Sequence, residues 1–217
     1  MADRALGQGP MGIFGGTFDP IHNGHLRTAL ELRDALRLAE IRFLRTGNPP
    51  LREHTQATAE MRLALVKAAV ADQPGFTVDD RETGRGGLSY SVDTLGELRA
   101  EFPQRSFCLL LGMDAFLGLP NWHRWREILE LAHVIVARRP GWKAPTQGLL
   151  GEAMVDRGTG SVRDLHDATA GRIFVHAVTQ LENSSTELRA QIARGRDPRY
   201  LVPDSVCKLL RETGWYA

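Results

Sequence analysis

His22 and His25, three residues apart where an apolar run gives way to helical spacing, are the side chains in this sequence whose types and placing could do chemistry. Before them, Met11-Gly12-Ile13-Phe14 has the length and bulk of a buried strand, and Gly15-Gly16 permits positive φ or a close approach of backbone to a ligand. After them, Leu26, Ala29, Leu30, Arg33 and Leu36 recur at three and four residues, the spacing of one helical face. The two imidazoles therefore fall in or just before a first helical turn, where unpaired N–H groups and the helix dipole favour an anion. With the amides around Gly15, Gly16 and Thr17, they form a candidate phosphate site. Two plainer readings compete. One is a tight strand-to-helix turn with a solvated helix start. The other is a metal site of Asp19, His22 and His25, which lacks a nearby Cys or third His because His54 falls in a separate loop. Neither a P-loop Lys-Ser/Thr nor a Gly-x-Gly-x-x-Gly pattern accompanies the glycines.

A second constellation is Asn183-Ser184-Ser185-Thr186-Glu187-Leu188-Arg189. Ser184 and Glu187 have the spacing of a capping box, which accounts for the serines but does not require Arg189. A capped helix start beside a guanidinium is again suited to an anion.

To hold such groups together the chain must supply a frame, and its pattern alternates strand with helix. Strand candidates cover residues 11–14, 41–44, 76–78, 106–111, 133–137 and 172–175, separated mostly by helical periodicity. Thr58 is a candidate N-cap, Ser89-Tyr90-Ser91 opens another helix, and Trp122-His123-Arg124-Trp125 leads into a further one. Residues 142–171 show no clear period. This order predicts a mainly parallel, doubly wound α/β sheet with helices on both faces. In such sheets ligands bind beyond the carboxyl ends of the strands, so the loops after Phe14, Leu44, Leu111, Ala137 and Val175 should open on one edge.

The 217 residues, 42% of them hydrophobic, suit one domain over 1–217, with 1–10 as a flexible lead. A formal charge of +1 gives no global reason to expect nucleic acid or an anionic membrane as partner. Residues 1–10 contain no export core, and the longest apolar runs are too short to cross a bilayer. Cys108 and Cys207 lie in apolar contexts suited to buried free thiols, which fits a reducing cytoplasm.

The run Gly-Gly-Thr-Phe-Asp-Pro-Ile-His-Asn-Gly-His from Gly15 to His25 closely resembles the signature of the nucleotidylyltransferase superfamily, with His22-Asn23-Gly24-His25 as its His-x-Gly-His element. Ser184 to Arg189 resembles that superfamily's Ser-Ser-Thr-x-x-Arg element, about 160 residues further on. The resemblance implies a Rossmann-like fold and transfer of an adenylyl group from ATP to a phosphate monoester, with Mg²⁺ carried mainly by the phosphates and no protein metal site. It implies that His22 and His25 are catalytic. It also implies that Gly15, Gly16, Thr17, Ser184, Ser185, Thr186 and Arg189 hold ATP phosphates.

The middle of the chain is similar to the bacterial nicotinate-mononucleotide adenylyltransferases of NAD synthesis, through Asn48-Pro49-Pro50, Ser89-Tyr90-Ser91, Thr94-Leu95, Gly112-Met113-Asp114, Trp122 and Arg138-Arg139-Pro140-Gly141. That similarity implies nicotinate mononucleotide as acceptor, with Tyr90, Ser91, Asp114, Trp122 and Arg138 on its side of the site. Amides near Ser91 would meet the pyridine carboxylate and Trp122 would stack on the ring. Trp125 fits better as a helix anchor. Leu51 departs from the family, which usually has His after Pro-Pro, and Arg52 or His54 could substitute. Within the class, nicotinamide mononucleotide and phosphopantetheine are rival acceptors; outside it, the rival is a nucleotide sensor without turnover.

Overall fold

The computed structural model describes residues 9–46, 55–83, 87–138, 141, 143–179 and 181–217. Residues 1–8 of the expected flexible lead, the Asn48-Pro49-Pro50 loop with Leu51, Arg52 and His54, and Arg139-Pro140 lie outside the described residues. Gly9 and Pro10 are tied down, their carbonyls accepting from Arg105 Nε at 3.2 Å and from the Ala39 amide at 2.9 Å.

Among the described residues every strand pairing is parallel. β1 (Met11–Gly16) lies beside β2 (Glu40–Arg45) and β4 (Phe107–Gly112). Outside these stand β3 (Phe76–Asp79) on one flank and β5 (His133–Arg138), β7 (Ile173–Ala177) and β6 (Gly158–Thr159) on the other, giving the order β3-β2-β1-β4-β5-β7-β6. One face carries α1 (Asn23–Leu36), α2 (Ala59–Val70), α8 (Ser185–Ala193) and α9 (Asp204–Thr213). The other carries α3 (Ser91–Glu101), α4 (Met113–Leu117), α5 (Trp125–Leu131) and α6 (Gly148–Arg157), while α7 (Asp164–Asp167) contributes Leu165 to the first face.

The alternation of side chains along a strand produces the two cores. In β4, Cys108 and Leu110 point into the first, and Phe107, Leu109 and Leu111 into the second. All five are buried, as a central parallel strand requires. Thr58 caps α2 by accepting the Met61 amide at 3.3 Å, and Gly214, at φ 66, closes α9.

The strand order reverses between β1 and β4, and there the two strands part. Their ladder covers only Met11, Gly12 and Ile13 against Phe107, Cys108 and Leu109, although each strand runs three residues further. The pairing therefore stops short of the carboxyl edge, between Gly15-Gly16 and Leu111-Gly112, at the topological switch point where sheets of this kind bind ligands.

Residues 142–171 contain α6, the two-residue β6 and α7, so among the described residues the sheet has seven strands rather than six. The segment lacked a readable period because the apolar residues of α6 do not share a face: Leu150 is buried while Val155 is 84% exposed. Among the described residues no helix is long and apolar enough to cross a membrane.

Both cysteines are free and buried, and burial pushes the Cys108 thiol up to about 12. Neither should react with a disulfide reagent such as DTNB at pH 8 while the protein is folded. Labelling in denaturant should track the loss of helical circular dichroism. Rapid modification of Cys108 in the native protein would show that the central strand is less protected than its packing implies.

Candidate active site

The first motif is shaped by close packing rather than by flexible glycines. Gly15 and Gly16 are the last two residues of β1, and neither has positive φ; the left-handed residue of the turn is Phe18, at φ 48. The expected glycine turn is thus a strand end. Gly16 is required because a Cβ there would lie 2.7 Å from the Phe18 ring. Gly15 is exposed, and no atom lies within 4 Å of where its Cβ would be. The Phe18 ring in turn stands edge-on to His25, with centroids 5.2 Å apart.

His22 is the N-cap of α1 and His25 its third residue. The rings stack with centroids 3.7 Å apart and planes at 24°. The His22 amide donates to His25 Nδ1 at 3.3 Å, so the proton of a neutral His25 ring belongs on Nε2. A Cβ on Gly24 would sit 3.0 Å from His22 Nδ1, which explains the small residue inside the His-x-Gly-His spacing. Asn23 is held by the chain before α9: its amide donates to Leu201 O at 2.9 Å and its Nδ2 to Tyr200 O at 2.8 Å.

Burial lowers His22 from 6.5 to about 4, and its Nδ1 is buried with no hydrogen-bond partner. At neutral pH the ring is therefore an uncharged group until an anion approaches. Such a group can offer an N–H to a phosphoryl oxygen and can be protonated when the phosphate supplies negative charge.

The second motif docks onto the same turn. Ser185 Oγ donates to Pro20 O at 3.0 Å, and Arg189 Nη1 donates to Asp19 O at 2.6 Å. Ser184 spends its hydroxyl oxygen as the N-cap of α8, accepting the Glu187 amide at 3.1 Å. Thr186 Oγ1 lies 3.5 Å from Arg189 Nη2. The histidine pair and the start of α8 are thus joined through residues 19–22.

Three residues that build this turn went unread in the sequence as parts of the site. Asp19, considered there only as a metal ligand, is 5% exposed. Its carboxylate accepts from the Gln56 amide at 3.0 Å, the Ala57 amide at 3.2 Å and the Tyr216 hydroxyl at 2.7 Å. Arg62, 2% exposed, donates to Thr17 O at 2.8 Å and to Thr46 O at 3.1 Å. Burial lowers its pKa, and the negative field of Asp19 opposes that shift. A signal for Arg62 was present: it shares the buried stripe of α2 with Leu65, Val66 and Val70, where a charge needs a reason. Tyr216, two residues beyond the Gly214 cap, carried no comparable signal.

The residues expected to meet the acceptor lie on the opposite face of the sheet. Tyr90 is the N-cap of α3 and Ser91 its first residue. The Tyr90 ring lies 4.4 Å from that of His123, beside the half-buried Trp122, and Tyr90 and Trp122 pack on the same apolar cluster. Trp125 is 8% exposed and anchors α5. Asp114 is exposed in α4, directly after β4, and Arg138 ends β5 opposite Ala177. Among the described residues, no three His, Cys, Asp or Glu side chains cluster as a metal site would need.

The buried histidine has a thermodynamic consequence. Between pH 6.5 and about 4 the unfolded chain takes up a proton at His22 that the folded chain refuses. The associated stability is complete above pH 6.5 and is lost as pH falls through about 4. It amounts to at most about 3 kcal/mol. Urea unfolding of wild type and His22→Asn, which keeps a good N-cap but does not titrate, should give a stability difference that shifts by that amount between pH 7 and pH 4. A pH-independent difference would mean that His22 is not held neutral.

With the geometry described, comparison with known proteins places the chain. The family described as Cytidylyltransferase-like matches residues 13–191, a span enclosing both motifs. The probable nicotinate-nucleotide adenylyltransferase of Aeromonas hydrophila is 49% identical over 207 residues, covering 95% of this chain and 97% of that protein. Its counterpart in Halorhodospira halophila is 47% identical over 206 residues, covering 95% and 94%. A solved structure of Plasmodium falciparum nicotinic acid mononucleotide adenylyltransferase complexed with NaAD shares the fold at TM-score 0.73 and 15% identity, over 96% of this chain and 97% of that one. Motif order, parallel sheet and near full-length similarity agree, and the chain belongs to the cytidylyltransferase-like family.

Proposed function

We propose that this chain is a nicotinate-nucleotide adenylyltransferase. It transfers the adenylyl group of ATP to nicotinate mononucleotide, giving nicotinate adenine dinucleotide and pyrophosphate in NAD biosynthesis. The observation that carries this reading is the joining of the His22–His25 stack and the Ser185–Arg189 helix start on one turn after β1. The near full-length similarity to relatives of that name supports the choice of substrates. The chain acts as a single domain, and its two buried free thiols suit a reducing cytoplasm.

The acceptor phosphate has a second pKa of about 6, so its oxygen is already a nucleophile at neutral pH and no general base is needed. The protein's work is alignment of two polyanions and stabilisation of charge gathering on the α-phosphoryl group and pyrophosphate. His22 and His25 present imidazole donors to that charge. The open end of β1 at Gly15, Gly16 and Thr17 admits the triphosphate close to backbone. The amides at Ser184, Ser185 and Thr186, with the Arg189 guanidinium, take its far end. Mg²⁺ would be carried mainly by the phosphates, part of whose charge it would neutralise; Asp19, the carboxylate of the motif, already accepts from three protein donors.

Replacing His22 or His25 by Ala should lower kcat by about 10²-fold or more while changing ATP binding much less, because contacts to developing charge act in the transition state. Coupled detection of pyrophosphate measures this directly. Unchanged kcat in both variants would reduce the pair to a helix start.

Acceptor choice divides between stacking and hydrogen bonding. Trp122 is nearly blind to the difference between acid and amide, since both present a cationic ring. An N–H near Ser91 is not blind, because it forms a charge-assisted bond with the carboxylate. Ser91 is the first residue of α3 and Tyr90 before it is extended, at φ −108 and ψ 135, so proline at 91 deletes a donor without breaking the helix. Ser91→Pro should erode the preference for nicotinate over nicotinamide mononucleotide by about 1 to 3 kcal/mol. Trp122→Ala should raise KM for nicotinate mononucleotide with the preference kept. The reverse pattern would exchange the two roles, and equal wild-type rates on both acceptors would overturn the substrate assignment.

A further inference from the structure

Tyr216 lies beyond residues 13–191, the span matched by the family. Its placement is nevertheless specific. Gly214 turns the chain back after α9, and Trp215 and Tyr216 pack against the core shared by α1, α2, α8 and α9. Tyr216 holds φ 69, a conformation that a bulky residue adopts only when its surroundings impose it. Its hydroxyl donates to Asp19 Oδ1 at 2.7 Å.

That bond decides how Asp19 meets Arg189. A free carboxylate and a guanidinium prefer a bidentate fork, two parallel N–H to O bonds. Here Asp19 Oδ1 is taken by Tyr216 and the Ala57 amide, and Oδ2 by the Gln56 amide. Arg189 reaches Oδ2 only at 3.7 Å and anchors instead on the backbone oxygen of Asp19. The rest of its guanidinium is weakly engaged: Nη2 has Thr186 Oγ1 at 3.5 Å, and Nε is buried with no hydrogen-bond partner. Arg189 is fixed by one nitrogen and left with donors to spare.

We propose that Tyr216 is a positioning residue: by occupying Asp19 it keeps the Asp19–Arg189 pair from closing into a fork, and so leaves the guanidinium available to the phosphates of ATP. The inference rests on the reading of Arg189 as a phosphate ligand. Burial, reinforced by the bond to Asp19, raises the phenol far above its usual range, so the hydroxyl stays a donor at any working pH.

Tyr216→Phe removes the hydroxyl and keeps the packed ring. Loss of the donor frees Oδ1 to draw Arg189 toward the carboxylate. The full-length variant should fold with the circular dichroism of wild type and show kcat/KM for ATP lowered by about tenfold, the scale of one hydrogen bond to a charged group. KM for nicotinate mononucleotide should stay within about twofold of wild type. In an Arg189→Ala background, Tyr216→Phe should produce no further loss of kcat/KM for ATP, because the residue through which it acts is gone. If Tyr216→Phe lowers only the melting temperature, or costs the same factor in both backgrounds, the tyrosine is structural and the proposal fails while Arg189 keeps its role. If Arg189→Ala alone leaves kcat/KM for ATP unchanged, the phosphate reading fails first and takes this inference with it.

Discussion

One buried carboxylate constrains much of this molecule. Asp19 cannot be left without partners at 5% exposure, since an unpaired charge in the interior costs several kcal/mol. Meeting that demand draws in the chain before α2 through Gln56 and Ala57 and the C-terminal tail through Tyr216, while Arg189 ties the start of α8 to the backbone oxygen of the same residue. Pieces far apart in sequence are thereby fixed against the residues just before His22. The histidine stack is positioned because its entry is clamped, and Asn23, held by Tyr200 and Leu201, clamps its exit.

The second constraint is the sheet. β1 and β4 pair for three residues, and the last three residues of each strand lie beyond that ladder. In the proposed reading, the phosphate side of the site rises from helices on one face and the acceptor side from helices on the other. A short in-line transfer between two bound nucleotides requires reactants brought from two directions to one place. A parallel sheet with a switch point supplies that geometry.

The architecture was legible where burial is two-sided and periodic: the run around Leu109 could only be a central strand, and Ala29 with Leu36 could only face a core. The proposed site was legible through residues whose types suit phosphate chemistry: His22, His25 and Arg189. It was opaque where a residue serves geometry. Gly15 and Gly16 read as a turn permitting positive φ or close approach to a ligand, yet neither has positive φ; Gly16 lets the Phe18 ring lie against it, and Gly15 is left open. Helix α6 was hidden because its exposed Leu149 and Val155 break the stripe. Tyr216 was hidden because its partner is almost two hundred positions away, and no local pattern reports a contact of that span.

The division between faces bears on how such a chain can diverge. Everything that meets ATP phosphates in this reading is tied to the Asp19 turn, where a substitution disturbs several elements at once. Tyr90, Ser91, Asp114 and Trp122 sit instead on short helix starts and connections that share one apolar cluster and no bond to that turn among those described. Lineages built on this plan can exchange one acceptor for another by rewriting segments on a single side, while inheriting the adenylyl-transfer apparatus unchanged.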